Sequence, residues 1–66
     1  MEIVNDKFNG VRVVKNENGK FGIQEIVDGE YLEPSYRYRE QFLAEKIATR
    51  MSSDNDRSAA YLESLK

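Results

Sequence analysis

The run Tyr36-Arg37-Tyr38-Arg39 is the segment of this chain whose residue types most suggest chemistry. If it forms a β-strand, both tyrosines lie on one face and both arginines on the other, because successive side chains alternate. Aromatic rings beside cations form surfaces that stack bases and bind phosphates. The same residues also suit a structural role, with the tyrosines in the core and the arginines paired with Glu33 or Glu40. The formal net charge of −2 favours the structural role.

Three further basic residues, Arg12, Lys15 and Lys20, lie on a segment that we predict to be a β-hairpin. Together with Arg37 and Arg39 they define a candidate nucleic-acid-binding surface, because a sheet that reads DNA presents such residues on one solvent face. Arg12 and Lys15 fall on opposite faces of their strand, however, and acidic neighbours dilute the charge. Solvated charges that discourage edge-to-edge aggregation are therefore the favoured interpretation.

Residues that perform catalysis are scarce. The chain contains no histidine and no cysteine, which removes the usual general base and the thiol nucleophile. The four glycines are isolated and none opens a helix, so no phosphate-binding loop is present. The run Asp54–Asp56 begins like a calcium loop, but its required glycine position is Ala59 and its final acidic position is Leu65. We therefore expect no enzyme activity, no catalytic residue, no cofactor and no metal ion.

The segment from Val11 to Val27 is the best-defined structural element in the sequence. Two β-rich runs flank Asn18-Gly19, a dipeptide that tolerates the positive φ of tight hairpin turns. Two registers are open at this point. A two-residue loop places Val14 opposite Ile23, whereas a three-residue loop places Val13 there.

We predict a small α+β domain organised around this hairpin. Residues 1–9 form an N-terminal segment, residues 10–38 the hairpin and a short third strand, and residues 40–66 the helical part. The third strand lies within residues 31–38 and is interrupted at Pro34, which has no backbone donor. The expected sheet is antiparallel and has two or three strands.

An amphipathic helix is predicted from about Glu40 to Met51. Leu43, Ile47 and Met51 recur at four-residue spacing, and two alanines widen this stripe. The helix is expected to pack on the hairpin face that carries the large apolar side chains of the second strand. The expected core comprises Val13 or Val14, Phe21, Ile23, Leu43, Ile47 and Met51.

The polar run Ser52–Asp56 is predicted to end this helix, because such residues compete with helix interiors and favour caps. A second short helix would follow, from about Asp56 to Lys66, capped by Asp54 or Asp56. Phe42 lies roughly opposite the Leu43 stripe, so it is either covered by the second helix or part of an exposed apolar patch. The other residues of that patch would be Tyr61, Leu62 and Leu65.

The sequence shows neither a basic, apolar leader at its start nor a hydrophobic run of membrane length. We therefore expect a cytoplasmic protein. With 66 residues and no cysteine for a disulfide, the fold should be marginally stable, at about 3–5 kcal/mol. A homodimer in which the terminal helices pair is one way to add burial.

The order of hairpin, tyrosine-bearing strand and amphipathic helix resembles the very small α+β accessory proteins of bacteriophages and prophages. The resemblance covers about residues 8–51 and rests on the runs 11–14, 18–24, 36–39 and 43–48. It implies a protein that binds and modulates a host protein in the bacterial cytoplasm. We predict a non-enzymatic protein-binding module, with a small nucleic-acid-binding protein as the alternative. The candidate partner-binding residues are Tyr36, Arg37, Tyr38, Arg39, Phe42 and Tyr61.

Overall fold

The protein folds as an antiparallel sheet packed on one face by a long helix, which confirms the predicted α+β class. The computed structural model describes residues 1–65. Five strands precede the helix: β1 (Glu2–Asn5), β2 (Val11–Lys15), β3 (Phe21–Val27), β4 (Glu30–Tyr31) and β5 (Ser35–Tyr38). The helix α1 covers Gln41–Ser64. The predicted count of two or three strands was therefore too low, and the two predicted helices are one.

The hairpin strands β2 and β3 occupy the middle of the sheet. β1 pairs with the outer side of β2, whereas β4 and β5 both pair with the outer side of β3, all in antiparallel orientation. The third strand that was predicted within residues 31–38 is present as two short strands, and Pro34 lies between them as expected. Because both hairpin strands have neighbours on each side, the hairpin does not present an open edge.

The Asn16 backbone N–H donates to the Lys20 carbonyl oxygen at 2.9 Å, so pairing extends one residue beyond β2 and β3 and the hairpin loop has three residues, 17–19. Val13 pairs with Ile23, which is the second of the two registers that the sequence left open. Gly19 has a φ of +80°, the left-handed conformation that such loops require. The Asn16 carboxamide oxygen accepts hydrogen bonds from the backbone N–H groups of residues 18 and 20, at 3.0 and 2.9 Å. The residue before the loop thus closes the turn in this register.

The core lies between α1 and the sheet face that carries Val13. Ala44 and Ala48 are fully buried, whereas Leu43 is 39% exposed. The predicted stripe is therefore buried along its alanine side, whereas Leu43, at its other margin, is turned toward solvent. Small side chains at these positions let the helix lie close to the strands. The core residues are Val11, Val13, Ala44 and Ala48, with partly buried Val4, Phe8, Phe21, Ile23, Tyr38 and Met51 packed around them.

This arrangement confirms part of the predicted core. Val13, Phe21, Ile23 and Met51 pack as expected. Leu43 does not, because the stripe that faces the sheet consists of the alanines that follow Leu43 and Ile47. Ile47 itself is half-buried at the margin of this face.

α1 runs without interruption through the polar run Ser52–Asp56, where the sequence predicted a break. The polar side chains bond to the turn that precedes β2. The Asn9 backbone N–H donates to Ser52 Oγ at 2.9 Å, and Asn9 Nδ2 donates to Asp56 Oδ1 at 2.7 Å. Asn55 Nδ2 donates in return to the Asn9 carbonyl oxygen at 2.7 Å. The prediction of a second helix capped by Asp54 or Asp56 was therefore wrong, and Lys66 lies outside the described residues.

Truncation of Val13 tests the position of the core. Val13 is fully buried, so Val13→Ala should lower the free energy of unfolding by about 2 kcal/mol through lost burial and a new cavity. Leu43→Ala is the control, and its partly exposed side chain should cost less than about 1 kcal/mol. Urea denaturation followed by circular dichroism measures both losses. A greater loss for Leu43→Ala would indicate that the buried face of the helix is centred on Leu43, as the sequence predicted.

Two glycines with the same backbone conformation test the contact between the Asn9 turn and the helix. Gly10 and Gly19 have φ of +78° and +80°, so alanine is strained at either position. A Cβ at Gly10 would lie 2.7 Å from Asn55 Nδ2, whereas a Cβ at Gly19 would meet nothing within 4 Å. We expect Gly10→Ala to cost about 1 kcal/mol more than Gly19→Ala, because the Asn55 hydrogen bond must also break.

Hydrogen exchange provides the second measurement for this glycine pair. In Gly10→Ala the helical amides near Ser52 and Asn55 should exchange faster, because the turn no longer holds that part of the helix. In Gly19→Ala they should keep their protection. Equal losses of stability and protection in the two variants would contradict a role for the Asn9 turn in docking α1.

Candidate interaction surfaces

The two tyrosines of β5 lie on opposite faces of the sheet. The pairing with β3 shifts between Phe21 and Ile23, because β5 contains one extra residue. Tyr38 packs against the core under α1. The Tyr36 Cδ1 atom would lie 3.2 Å from a Cβ at Gly22, a position that faces away from the helix. The prediction that both tyrosines share one face was wrong, because a one-residue bulge reverses the alternation.

Two arginines and a phenylalanine are exposed at or beside the connection from β5 to α1. Arg37 and Arg39 are exposed, and Arg37 Nε donates to Ser35 Oγ on its own strand at 3.0 Å. Phe42, in the first turn of the helix, is 61% exposed. Within residues 1–65 no second helix is present to cover it. These residues form a small exposed group with both cationic and apolar character.

The second half of α1 extends beyond the sheet. Every described residue from Ser53 to Leu65 is exposed. Tyr61, Leu62 and Leu65 are large and apolar, yet they are 64%, 61% and 66% exposed. At 1.5 Å per residue Phe42 lies about 28 Å from Tyr61 along the helix axis. The single patch that the sequence suggested is therefore divided into two separate surfaces.

The five basic residues of the nucleic-acid alternative do not share a face. Arg12 lies on the face away from α1, where its guanidinium carbon is 3.6 Å from the centroid of the Tyr31 ring. Lys15 lies on the opposite face, and its Nζ is 5.6 Å from the centroid of the Phe21 ring. Lys20 is exposed at the end of the hairpin loop. The remaining two are the arginines beside the β5–α1 connection.

A cluster on the sheet face away from α1 was not predicted. Arg12 Nε donates a hydrogen bond of 2.6 Å to Gln24 Oε1, and Gln24 is only 6% exposed. Arg12 and Gln24 are directly opposite each other in the β2–β3 ladder. The register with Val13 opposite Ile23 implies this pair, so the sequence contained a signal for it. The stacking of Tyr31 on Arg12 depends on the pairing of Tyr31 with Ile26, and the sequence predicted a strand in this region but not that pairing.

An open depression of about 400 Å³ lies between the chain start and the hairpin loop, lined by Met1, Glu2, Lys15, Asn16 and Glu17. In residues 1–65 no group of three or more histidine, cysteine or acidic residues is placed to hold a metal ion. The helix in this described part of the chain is not apolar enough to cross a membrane.

Comparison with known proteins places the chain in no family. It was compared with protein-family models, with curated proteins and with solved structures. No match was found in any of the three. The resemblance to small phage accessory proteins therefore stays a prediction, and any function must be argued from the surfaces described above.

Truncation tests whether the end of α1 contributes to the fold. Removal of residues 58–66 should shift the melting temperature by only a few degrees, because the described part of this segment is exposed. Removal of residues 52–66 is the comparison, and it should destabilise the protein more because it also deletes the bonds to Asn9. Thermal denaturation followed by circular dichroism measures both. Equal melting temperatures for the two truncations would show that the Asn9 contacts contribute nothing.

Proposed function

We propose that this protein is a non-enzymatic binding module that regulates or inhibits a partner protein. The observation that carries the proposal is the second half of α1, which exposes Tyr61, Leu62 and Leu65 beyond the sheet. Exposed large apolar side chains in a group are characteristic of interaction surfaces. Aromatic residues are also over-represented among the residues that dominate binding energy.

The spacing of these side chains suits insertion of the helix into a groove. Ser58, Tyr61 and Leu62 lie on one side of α1, and Leu65, its C-cap residue, completes the i, i+3, i+4, i+7 pattern. Helices bind hydrophobic grooves through anchors at this spacing. The partner surface that this helix fits is an apolar groove about two helical turns long.

The β5–α1 connection supplies a second part of the proposed surface. Arg37, Arg39 and Phe42 are exposed there, whereas Tyr36 and Tyr38 are half-buried. Arginine and aromatic residues together are typical of binding hot spots. The origin in a phage or mobile element, with a host protein as target, rests on the resemblance of residues 8–51 to phage accessory proteins.

Affinity capture with paired variants tests this proposal. The tagged protein should recover a stoichiometric partner from bacterial lysate, and Leu62→Ser combined with Leu65→Ser should abolish recovery while leaving the melting temperature unchanged. Leu32→Ser is the matched control, because Leu32 is 46% exposed but lies outside the helix. Recovery of no stoichiometric partner, or equal loss in the control, would count against the proposal. Sedimentation at two concentrations distinguishes a second copy of the chain as the partner.

Nucleic-acid binding is the alternative, and the exposed pair Arg37 and Arg39 is its best support. A gel-shift assay at low salt with single- and double-stranded DNA and with RNA decides between the two. We expect no shift, because the basic residues are dispersed over the sheet and the net charge is −2. A shift that is lost in Arg37→Gln with Arg39→Gln, but kept in Lys46→Gln, would favour the alternative.

A further inference from the structure

Across its first four strands, the sheet face that is turned away from α1 carries one charged side chain. By the register of the first four strands, the members of this face are Ile3, Arg12, Val14, Gly22, Gln24, Ile26 and Tyr31. Apart from Arg12 they are apolar, aromatic or uncharged. No carboxylate is available among these strand neighbours to neutralise the guanidinium.

Arg12 is held in place on two sides. The Tyr31 ring lies 3.6 Å from its guanidinium carbon, and its Nε is bonded to the buried Gln24 at 2.6 Å. Because Nε already donates to Gln24, the two terminal amino groups are the donors that remain for an acceptor outside the chain. A clamped planar group loses little side-chain entropy when it binds.

We infer that Arg12 is a recognition site for a carboxylate in an acidic segment of a protein partner. Guanidinium and carboxylate groups form two parallel hydrogen bonds, which give both strength and orientation. The half-buried Ile26 and the exposed Tyr31, which are paired on the same face, provide apolar contacts for the residues beside that carboxylate. Nucleic acid fits this face less well, because it requires several cations and the face offers one.

This site lies on the side of the sheet opposite α1 and goes beyond the function proposed above. It does not depend on the helix surface, since Arg12 makes its contacts with β3 and β4. The two ideas can therefore fail separately. Loss of helix-mediated capture leaves the Arg12 site intact, and loss of the Arg12 site leaves the helix surface intact.

Nuclear magnetic resonance tests the site directly. The ¹⁵N-labelled protein is titrated with a hexaglutamate peptide at low salt while the Arg12 Nε–H signal and the Gln24 side-chain amide signals are followed. Both sets of signals should shift saturably, and the affinity should weaken as salt is added. A Ser-Gly peptide of the same length should produce no shift. An arginine that only covers Gln24 would not respond to either peptide.

Two charge variants separate this site from general electrostatic attraction. Arg12→Lys keeps the charge but loses the planar fork and the Nε bond, so the affinity should fall by about tenfold or more. Lys20→Gln removes a charge from an exposed position in the loop and should change the affinity by less than about twofold. If Arg12→Lys does not fold, the wild-type Arg12 signal alone decides.

Three outcomes would overturn the inference. The first is the absence of a saturable Arg12 shift in the folded wild-type protein. The second is an equal loss of affinity in Arg12→Lys and Lys20→Gln, which would indicate attraction to the overall charge. The third is tighter binding of a deoxythymidine dodecamer at the same signals, which would identify a nucleic-acid site instead.

Discussion

The close approach of α1 to the sheet is the constraint on which the rest of the structure depends. Ala44 and Ala48 are fully buried against Val11 and Val13, so methyl groups are the only helix side chains at the centre of the contact. Close packing at this point leaves no room for leucine or isoleucine at these two positions. Leu43 and Phe42 are therefore turned away from the centre, and the exposed group at the β5–α1 connection is a consequence of that packing.

The same contact determines where the helix leaves the sheet. Beyond the packed alanines, Ser52, Asn55 and Asp56 exchange hydrogen bonds with the Asn9 turn. After that turn α1 has no sheet beneath it, and its described residues are exposed. An isolated helix of this length would be marginal in water, but this one extends a segment that is already helical and so needs no new nucleus. Docking of the first half of α1 on the sheet thus stabilises the helical conformation of the second half.

Residue patterns were sufficient to predict the hairpin, the interruption at Pro34 and an amphipathic helix that begins near residue 40. Those features depend on local chemistry: the Asn18-Gly19 turn, a missing backbone donor, and helical periodicity. The predicted break at Ser52–Asp56 failed because local preference for caps was outweighed by partners at Asn9, more than 40 positions away in the chain. Hydrogen bonds to residues so distant in the chain cannot be predicted from the local residue pattern.

Two other failures have the same physical origin. The predicted stripe on α1 contained both Leu43 and the two alanines, and only the distance between helix and sheet decides which side of that stripe is buried. The bulge in β5 adds one residue and sends Tyr36 and Tyr38 to opposite faces. The candidate site residues could thus be selected by type, but their grouping into surfaces could not be predicted, because grouping depends on register and separation. The Arg12–Gln24 pair, by contrast, follows from the hairpin register alone, because the register that places Val13 opposite Ile23 also places Arg12 opposite Gln24.

The energetic balance of so small a chain connects binding to stability. Full burial of an apolar side chain is worth about 1.5–3 kcal/mol, and Tyr61, Leu62 and Leu65 together leave most of that free energy unused in the isolated chain. A partner that covered all three would gain several kcal/mol before the costs of association. That gain is comparable to the stability expected for a domain of this size, about 3–5 kcal/mol. A ligand that binds only the folded state stabilises it by mass action. A partner that covered the apolar residues at the end of α1 would therefore also increase the stability of the folded chain.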